Sequence, residues 1–354
     1  MPVWAIVLID ILLTGACLCV YALFHHVLTW GTAKQVMGRS NIPTAVVATQ
    51  PPAAPTETPA ALVIEPGPEA TAEPTPTPEP VDYGQFGEKF ADKFTAEGEV
   101  ISTDTLYNSH DVRVELKSDR VNNSDVHILD IYVRNIENFR TTFAGGEDVY
   151  DHTRLSVGDM AARVNAVCAI NGDFAGFSNA GDVVVRNGLY FESDPEFSVC
   201  VLYYDGTMET YWKRFNQPGD DYDIQAALDR GAWHAWCFGP ALLDSEGHAL
   251  PLNYDTNVYN PRTFLGYYEP GHYAFITVDG RSGNNTGMNL DQLAALAESL
   301  GMQRAYNLDG GGSSHMIFGG ETISCVSPYE PNRTVTDILY ITDNPVPDVA
   351  VKEG

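Results

Sequence analysis

Residues 260–281 read NPRTFLGYYEPGHYAFITVDGR. Two apolar runs, Arg262 to Tyr268 and Tyr273 to Val278, flank the turn-forming Glu269-Pro270-Gly271, and this pattern predicts a β-hairpin. The outer ends of the hairpin are polar: Asn260-Pro261-Arg262-Thr263 enters it and Val278-Asp279-Gly280-Arg281 leaves it. Leu290 to Leu300 then predicts a helix. Asn289 is its cap, Gln292 stands at the third position, Leu290, Leu293, Leu296 and Ala297 share a face, and Gly301 ends it. Ala305 to Leu308 reads as a strand running into Asn307-Leu308-Asp309-Gly310-Gly311-Gly312-Ser313-Ser314. Hairpin, helix and strand in succession predict an α/β (mixed α+β) class: one large domain with a mixed sheet and flanking helices.

The same alternation extends outward. Val112 to Leu116, Val126 to Val133, Ala166 to Ile170, Ser314 to Phe318 and Asp337 to Ile341 read as strands. Val199 to Tyr204 and Met208 to Trp212 flank Asp205-Gly206, a second hairpin signal. Ser156 to Val164 and Tyr222 to Arg230 read as helices, the first with Ser156 at the cap and Asp159 three residues later. The domain is expected over 83–343, with a tail at 344–354.

Ahead of it lie two segments of other character. Trp4 to Phe24 carries one charge, Asp10, in 21 residues, long enough to span a bilayer core. A buried helix or a cleaved signal peptide are the alternatives, with Gly31-Thr32-Ala33 as a cleavage site. Segment 1–39 is therefore expected to be a membrane anchor with its flank. Segment 40–82 holds eleven of the 22 prolines and no Lys or Arg, so an extended stalk is expected. Lys34 and Arg39 after the apolar run would place that flank in the cytoplasm by charge. The stalk argues for the opposite orientation, a single-pass anchor with the domain outside the membrane.

Composition narrows the function. With 20 basic and 47 acidic residues the formal charge is −27, which repels phosphate backbones and disfavours nucleic acid as a partner. No CxxC pair or HExxH segment supports a zinc site.

Chemistry gathers at four junctions: Asn171-Gly172-Asp173-Phe174, Asn260 to Thr263, Val278 to Arg281, and Asn307 to Ser314. Polar residues at strand ends point into the crevice a sheet forms. Arg262 and Arg281 offer planar forks for a phosphate. Gly310, Gly311 and Gly312, with Ser313 and Ser314, can turn backbone N–H groups toward an anion. Asp173, Asp279 and Asp309 supply carboxylates for acid, base or nucleophile. As an ordinary turn, each motif has a plain structural reading as well.

The set NGDF, NPRT, VDGR and NLDGGGSS, in this order, resembles the phosphodiester glycosidase family, over about Ser102 to Ile341 and most strongly from Phe238-Gly239-Pro240 to Ser314. The first motif departs from the family's glycine-and-aromatics form at Asp173 and Phe174. The resemblance implies cleavage of a sugar-1-phosphodiester on the sugar side. It implies a site comprising Asn171, Arg262, Thr263, Asp279, Arg281, Asp309, Gly310, Gly311 and Ser313. The membrane–stalk–domain layout looks like bacterial envelope members, so a glycosyl-phosphate linkage in a wall or capsular polysaccharide is the expected substrate. No cofactor is required. Two other classes stay open: a glycan-binding module without catalysis, and a phosphoesterase whose Asp279 and Asp309 hold Ca²⁺ or Mg²⁺.

Other residues have blander readings. His315 offers an acid/base group or a structural strand histidine. Trp233 and Trp236 around His234 suit core packing better than sugar stacking. Asp244, Glu246 and His248 around Gly247 suit a polar turn. Cys168, Cys200, Cys237 and Cys325 allow two disulfides or buried thiols.

Overall fold

The computed structural model describes residues 84–146, 151–176, 182–214, 218–252, 258–324 and 333–343. The expected anchor, stalk and tail, and Cys325, lie outside them. Among the described residues no helix is long and apolar enough to cross a membrane.

Among the described residues three sheets are built from seventeen strands, and every pairing among them is antiparallel. The first sheet has seven strands, in spatial order β1 (Ile101–Ser102), β2 (Leu106–Asn108), β3 (Val112–Val121), β4 (Ser124–Val133), β13 (His272–Val278), β12 (Arg262–Glu269) and β14 (Arg304–Asn307). The second has five: β10 (Met208–Tyr211), β9 (Ser198–Tyr203), β11 (Ala232–Phe238), β7 (Val183–Arg186) and β8 (Leu189–Ser193). The third also has five: β16 (Glu321–Thr322), β15 (Met316–Phe318), β6 (Cys168–Asn171), β17 (Asp337–Ile341) and β5 (Phe139–Phe143).

Successive side chains of a strand point to opposite faces, and here each face has its own task. Leu265, Tyr273 and Phe275 of the first sheet, Cys200, Leu202 and Trp236 of the second, and Cys168, Ile170, Leu339 and Ile341 of the third meet in one shared core. Their alternate neighbours turn outward, and each sheet is backed by one helix. Phe264, Ile276 and Val278 pack on Leu293 and Ala297 of the helix Leu290–Ser299. Ala169, Ile338 and Tyr340 pack on Val157, Met160 and Ala161 of the helix Val157–Arg163. Val199 and Val201 pack on Ala227 of the helix Ile224–Asp229. We number these helices α1 (Val157–Arg163), α2 (Ile224–Asp229) and α3 (Leu290–Ser299). The inner strands β6, β7, β9, β11, β13 and β17 are buried on both faces, which closes a single α+β domain.

Local signals are satisfied as expected. Asn289 and Gln292 form a reciprocal capping box on α3. Ser156 accepts the Asp159 N–H and donates its hydroxyl to the Asp159 carboxylate at 2.7 Å, capping α1. Both expected hairpins form. Asp244 accepts the Glu246 and His248 N–H groups in a polar turn. Trp233 and Trp236 are core residues. Cys168, Cys200 and Cys237 are buried free thiols, which corrects the disulfide alternative for these three.

Candidate active site

The architecture brings three of the four junctions to one edge. β12 lies between β13 and β14, and both run antiparallel to it. Both neighbours therefore end where β12 begins: Val278 pairs with Arg262, and the Leu308 N–H donates to the Thr263 carbonyl at 2.9 Å. With strands about 4.8 Å apart, the ends leading to Asp279 and Asp309 stand about 10 Å apart, with Arg262-Thr263 between them.

Asn171, at the end of β6, ties the third sheet to that edge. It is fully buried. Its amide donates to the Asp309 carbonyl at 2.7 Å, and its Oδ1 accepts the Thr263 hydroxyl at 2.8 Å and the His315 N–H at 3.3 Å. Asn171 and Thr263 thus spend their polar groups on each other and on the frame. The structure places them behind the site, where they hold its parts together, instead of at a ligand-facing position. His315 is buried in the same frame, with Nδ1 3.3 Å from the Ser313 carbonyl.

Four of the five N–H groups expected to form an anion-binding nest have partners within the site's own frame. The Gly310 N–H donates to the Asp309 carboxylate at 2.8 Å and the Gly311 N–H to the Pro261 carbonyl at 2.9 Å. Ser313 and Ser314 donate back to Gly310 and Gly311 in a 3₁₀ turn. These donors are spent, so the loop cannot cradle an anion with them. The glycines serve close approach instead. A Cβ on Gly311, where φ is +62°, would lie 3.5 Å from Arg281 Nη1; one on Gly310 would lie 3.1 Å from the Pro261 carbonyl and 3.8 Å from Arg262 Cδ. Both arginines therefore lie along the bare backbone of Gly310-Gly311.

Arg262 donates through Nε to the Met288 carbonyl at 2.9 Å and through Nη2 to the Val258 carbonyl at 3.1 Å. Burial, and then the neighbouring charge of Arg281, pull its pKa down to about 10. Arg281 donates to the Asn260 side chain and holds φ at +54°, a conformation that costs energy for a residue with a Cβ. Two like charges anchored by neutral oxygens, one on strained backbone, make a cationic site suited to a phosphate.

The carboxylates are placed differently from one another. Asp309 is partly buried, and burial raises its pKa against the opposing hydrogen bonds from Ser313 and Gly310 and the charges of Arg333 and Arg154. Asp279 is buried, and its Oδ2 lies 3.4 Å from His127 Nε2, an ion pair when the imidazole carries its proton. His127 Nδ1 is 3.0 Å from the Ser118 hydroxyl. The register lines up Ser118, His127, Thr277 and Thr263 on one face of four adjacent strands, so His127 belongs to the site floor. Asp173 does not join these two. Its Oδ1 accepts from Arg186 at 2.6 Å and its Oδ2 from the Cys237 N–H at 3.0 Å. Arg186 also faces Asp337 at 3.4 Å. Burial and then Asp173 raise Asp337, and the same causes push Asp182 up to about 7. This corrects the catalytic expectation for Asp173, because both oxygens are engaged in a separate buried cluster.

His127, Arg154, Arg186 and Arg333 carried no motif. Phe174, next to Asp173, adopts φ +69° and lies under the Arg154 guanidinium at 4.9 Å. Among the described residues no group of three or more His, Cys, Asp or Glu converges to hold a metal ion.

A model of the phosphodiester glycosidase family matches residues 164–342, more than half of the chain, and spans all four junctions. The chain belongs to this family. A Bacillus subtilis (strain 168) relative, the SPbeta prophage-derived uncharacterized protein YomE, is 33% identical over 200 residues, covering 53% of this chain and 30% of its own length. The catalytic domain of zebrafish N-acetylglucosamine-1-phosphodiester α-N-acetylglucosaminidase, auto-inhibited by its pro-peptide, shares the fold: TM-score 0.52, 19% identity, 71% of this chain and 87% of that one. The family match thus spans an arginine pair suited to a phosphate and two carboxylates leaving the sheet at the same edge.

Proposed function

We propose that this chain is a hydrolase that cleaves a sugar-1-phosphodiester at the C1–O bond, releasing free sugar and a phosphomonoester. The observation that carries the reading is the placement of Arg262 and Arg281 along Gly310-Gly311, at the edge where Asp279 and Asp309 emerge. The arginines neutralise the diester and stabilise charge developing on the leaving phosphate. Burial holds Asp309 toward its protonated form, which suits it to give a proton to that leaving oxygen. Asp279, beside His127, is the carboxylate left to act at C1, either on water or directly. Water's oxygen ends on the sugar, and the C1–O bond breaks with its electrons going to the phosphate.

The apolar run 4–24 and the proline-rich segment 40–82 support a single-pass anchor and a domain held outside the membrane, where envelope polysaccharide would supply the substrate. Turnover of a GlcNAc-1-phosphodiester by the full-length chain in ¹⁸O-water tests the reaction. Label on the released sugar is expected. Label on phosphate would replace the glycosidase with a phosphoesterase, and binding without turnover would leave a glycan-binding module.

A further inference from the structure

Asp309 stands past the end of β14, and its backbone is held by a different strand end. Its N–H donates to the Gly172 carbonyl at 3.2 Å, and its carbonyl accepts the Asn171 amide at 2.7 Å. Gly172 is in turn held by Asp337, the first residue of β17. The Gly172 N–H donates to the Asp337 carbonyl at 2.9 Å. The Asp337 carboxyl packs flush on the Gly172 Cα, so close that a Cβ at position 172 would fall inside it. Only glycine admits this contact.

The carboxyl cannot easily move aside. Asp337 is 1% exposed. The Thr336 hydroxyl donates to its Oδ1 at 3.2 Å, and Arg186 Nη2 faces its Oδ2 at 3.4 Å. Arg186 also holds Asp173 at 2.6 Å, and the Cys237 N–H takes the other Asp173 oxygen at 3.0 Å. The run Asn171–Asp173 is thus pinned by residues of the second and third sheets, and it carries Asp309, which follows the first.

Charge suits the contact as well. One guanidinium faces two carboxyls and lies closer to Asp173. Burial, and then Asp173, raise the Asp337 carboxyl against the pull of Arg186. Asp173 and Arg186 are then the ion pair, and Asp337 is the neutral member, an uncharged wedge against a Cα. The reaction as described gives Asp337 no task.

We propose that Asp337 is a positioning residue for Asp309: its carboxyl fixes Gly172, and Gly172 sets where Asp309 stands in the site. The inference rests on the glycosidase reading for the step that Asp309 performs. Asp173, where the chain departs from the family's glycine-and-aromatics motif, then has a task of its own. It occupies Arg186 and keeps Asp337 neutral.

Turnover of the GlcNAc-1-phosphate methyl ester by the full-length chain reads the effect. Gly172→Ala should lower kcat about 100-fold, the cost of a misplaced catalytic group, with KM within about threefold. The arginine pair keeps its KM role because its anchors are other oxygens. Asp337→Ala should lower kcat about 10-fold at unchanged KM, and Asp337→Asn, of the same shape, should recover most of that loss. Gly172→Ala/Asp337→Ala should exceed Gly172→Ala in kcat by about 10-fold, since the new methyl enters the space the carboxyl left. A contact that serves stability alone would lower the unfolding midpoint and leave kcat in place. Additive losses in the double variant, a raised KM at unchanged kcat, or full kcat in Asp337→Ala would overturn the proposal. The last result decides even where Gly172→Ala does not fold.

The ¹³C signal of the Asp309 carboxyl, identified by its loss in Asp309→Asn, gives a reading independent of turnover. It should shift in Asp337→Ala and return in Asp337→Asn. No turnover by the unmodified chain, with that shift present, would remove the glycosidase and keep the positioning. Turnover with the signal unmoved would remove the positioning and keep the glycosidase.

Discussion

The arginine pair at Gly310-Gly311 and the buried cluster around Arg186 are two charged regions of one domain, each begun by a short polar motif at a strand end. They handle charge in opposite ways. Arg262 and Arg281 are held by neutral oxygens, and among the described residues neither makes an ion pair. Arg186 is enclosed by carboxylates, 2.6 Å from Asp173 and 3.4 Å from Asp337, with all three buried. Charge left uncompensated at an open edge is available to a ligand; charge compensated in the interior serves the fold. The two regions should therefore fail differently.

The largest contrast is expected at Asp309. Asp309→Asn should lower kcat by about 10²–10⁴-fold, the usual contribution of a positioned acid, with unfolding midpoint unchanged or raised, because burial already disfavours the charge. Full activity in this variant would remove Asp309 from the chemistry. Arg186→Ala should do the reverse and cost about 3–5 kcal/mol in denaturant unfolding, since Asp173 and Asp337 lose their buried partner. A stable Arg186→Ala variant with lost turnover would instead move that cluster into the active site.

Smaller effects sharpen the division. Gly311→Ala forces a side chain onto φ +62° and against Arg281, so a stability loss of about 1 kcal/mol should accompany a raised KM. The mildest effect is on pH dependence. Asp182 binds its proton up to about pH 7 when folded but only to about 3.9 when unfolded. Between these values the native state holds more protons, so stability should fall as pH rises through the window. Urea midpoints at pH 4.5 and 8 read the slope, and Asp182→Asn should reduce it, leaving the part carried by the raised Asp337 and Asp309. An unchanged slope would place the titration elsewhere.

Much of the fold was legible where its cause is local. The hairpins around Asp205-Gly206 and Glu269-Pro270-Gly271, and the Asn289–Gln292 box, need only neighbours in the chain. β7, as Val183-Val184-Val185-Arg186, and β11, with Trp233, His234 and Trp236, are buried on both faces and show no alternation, so their strands were not anticipated. At the site, Arg262, Asp279 and Asp309 could be picked out by residue type at strand ends. The partnership of Asp279 with His127 could not, because it joins positions 152 apart through the pairing of β4 with β13.

By itself the sequence determined the elements that nearest neighbours specify, the order of the four motifs, and the family they indicate. The tertiary structure decided which charges stay open and which are neutralised. Asp173 and Asp309 look alike as Asp beside Gly in a turn, yet Arg186 reaches only the first. The loop N–H groups looked free for an anion, yet Asp309, Pro261 and the 3₁₀ turn had taken those of Gly310, Gly311, Ser313 and Ser314. Hydrogen bonding and desolvation depend on what packs alongside, and here the decisive neighbours come from strands far apart in the chain.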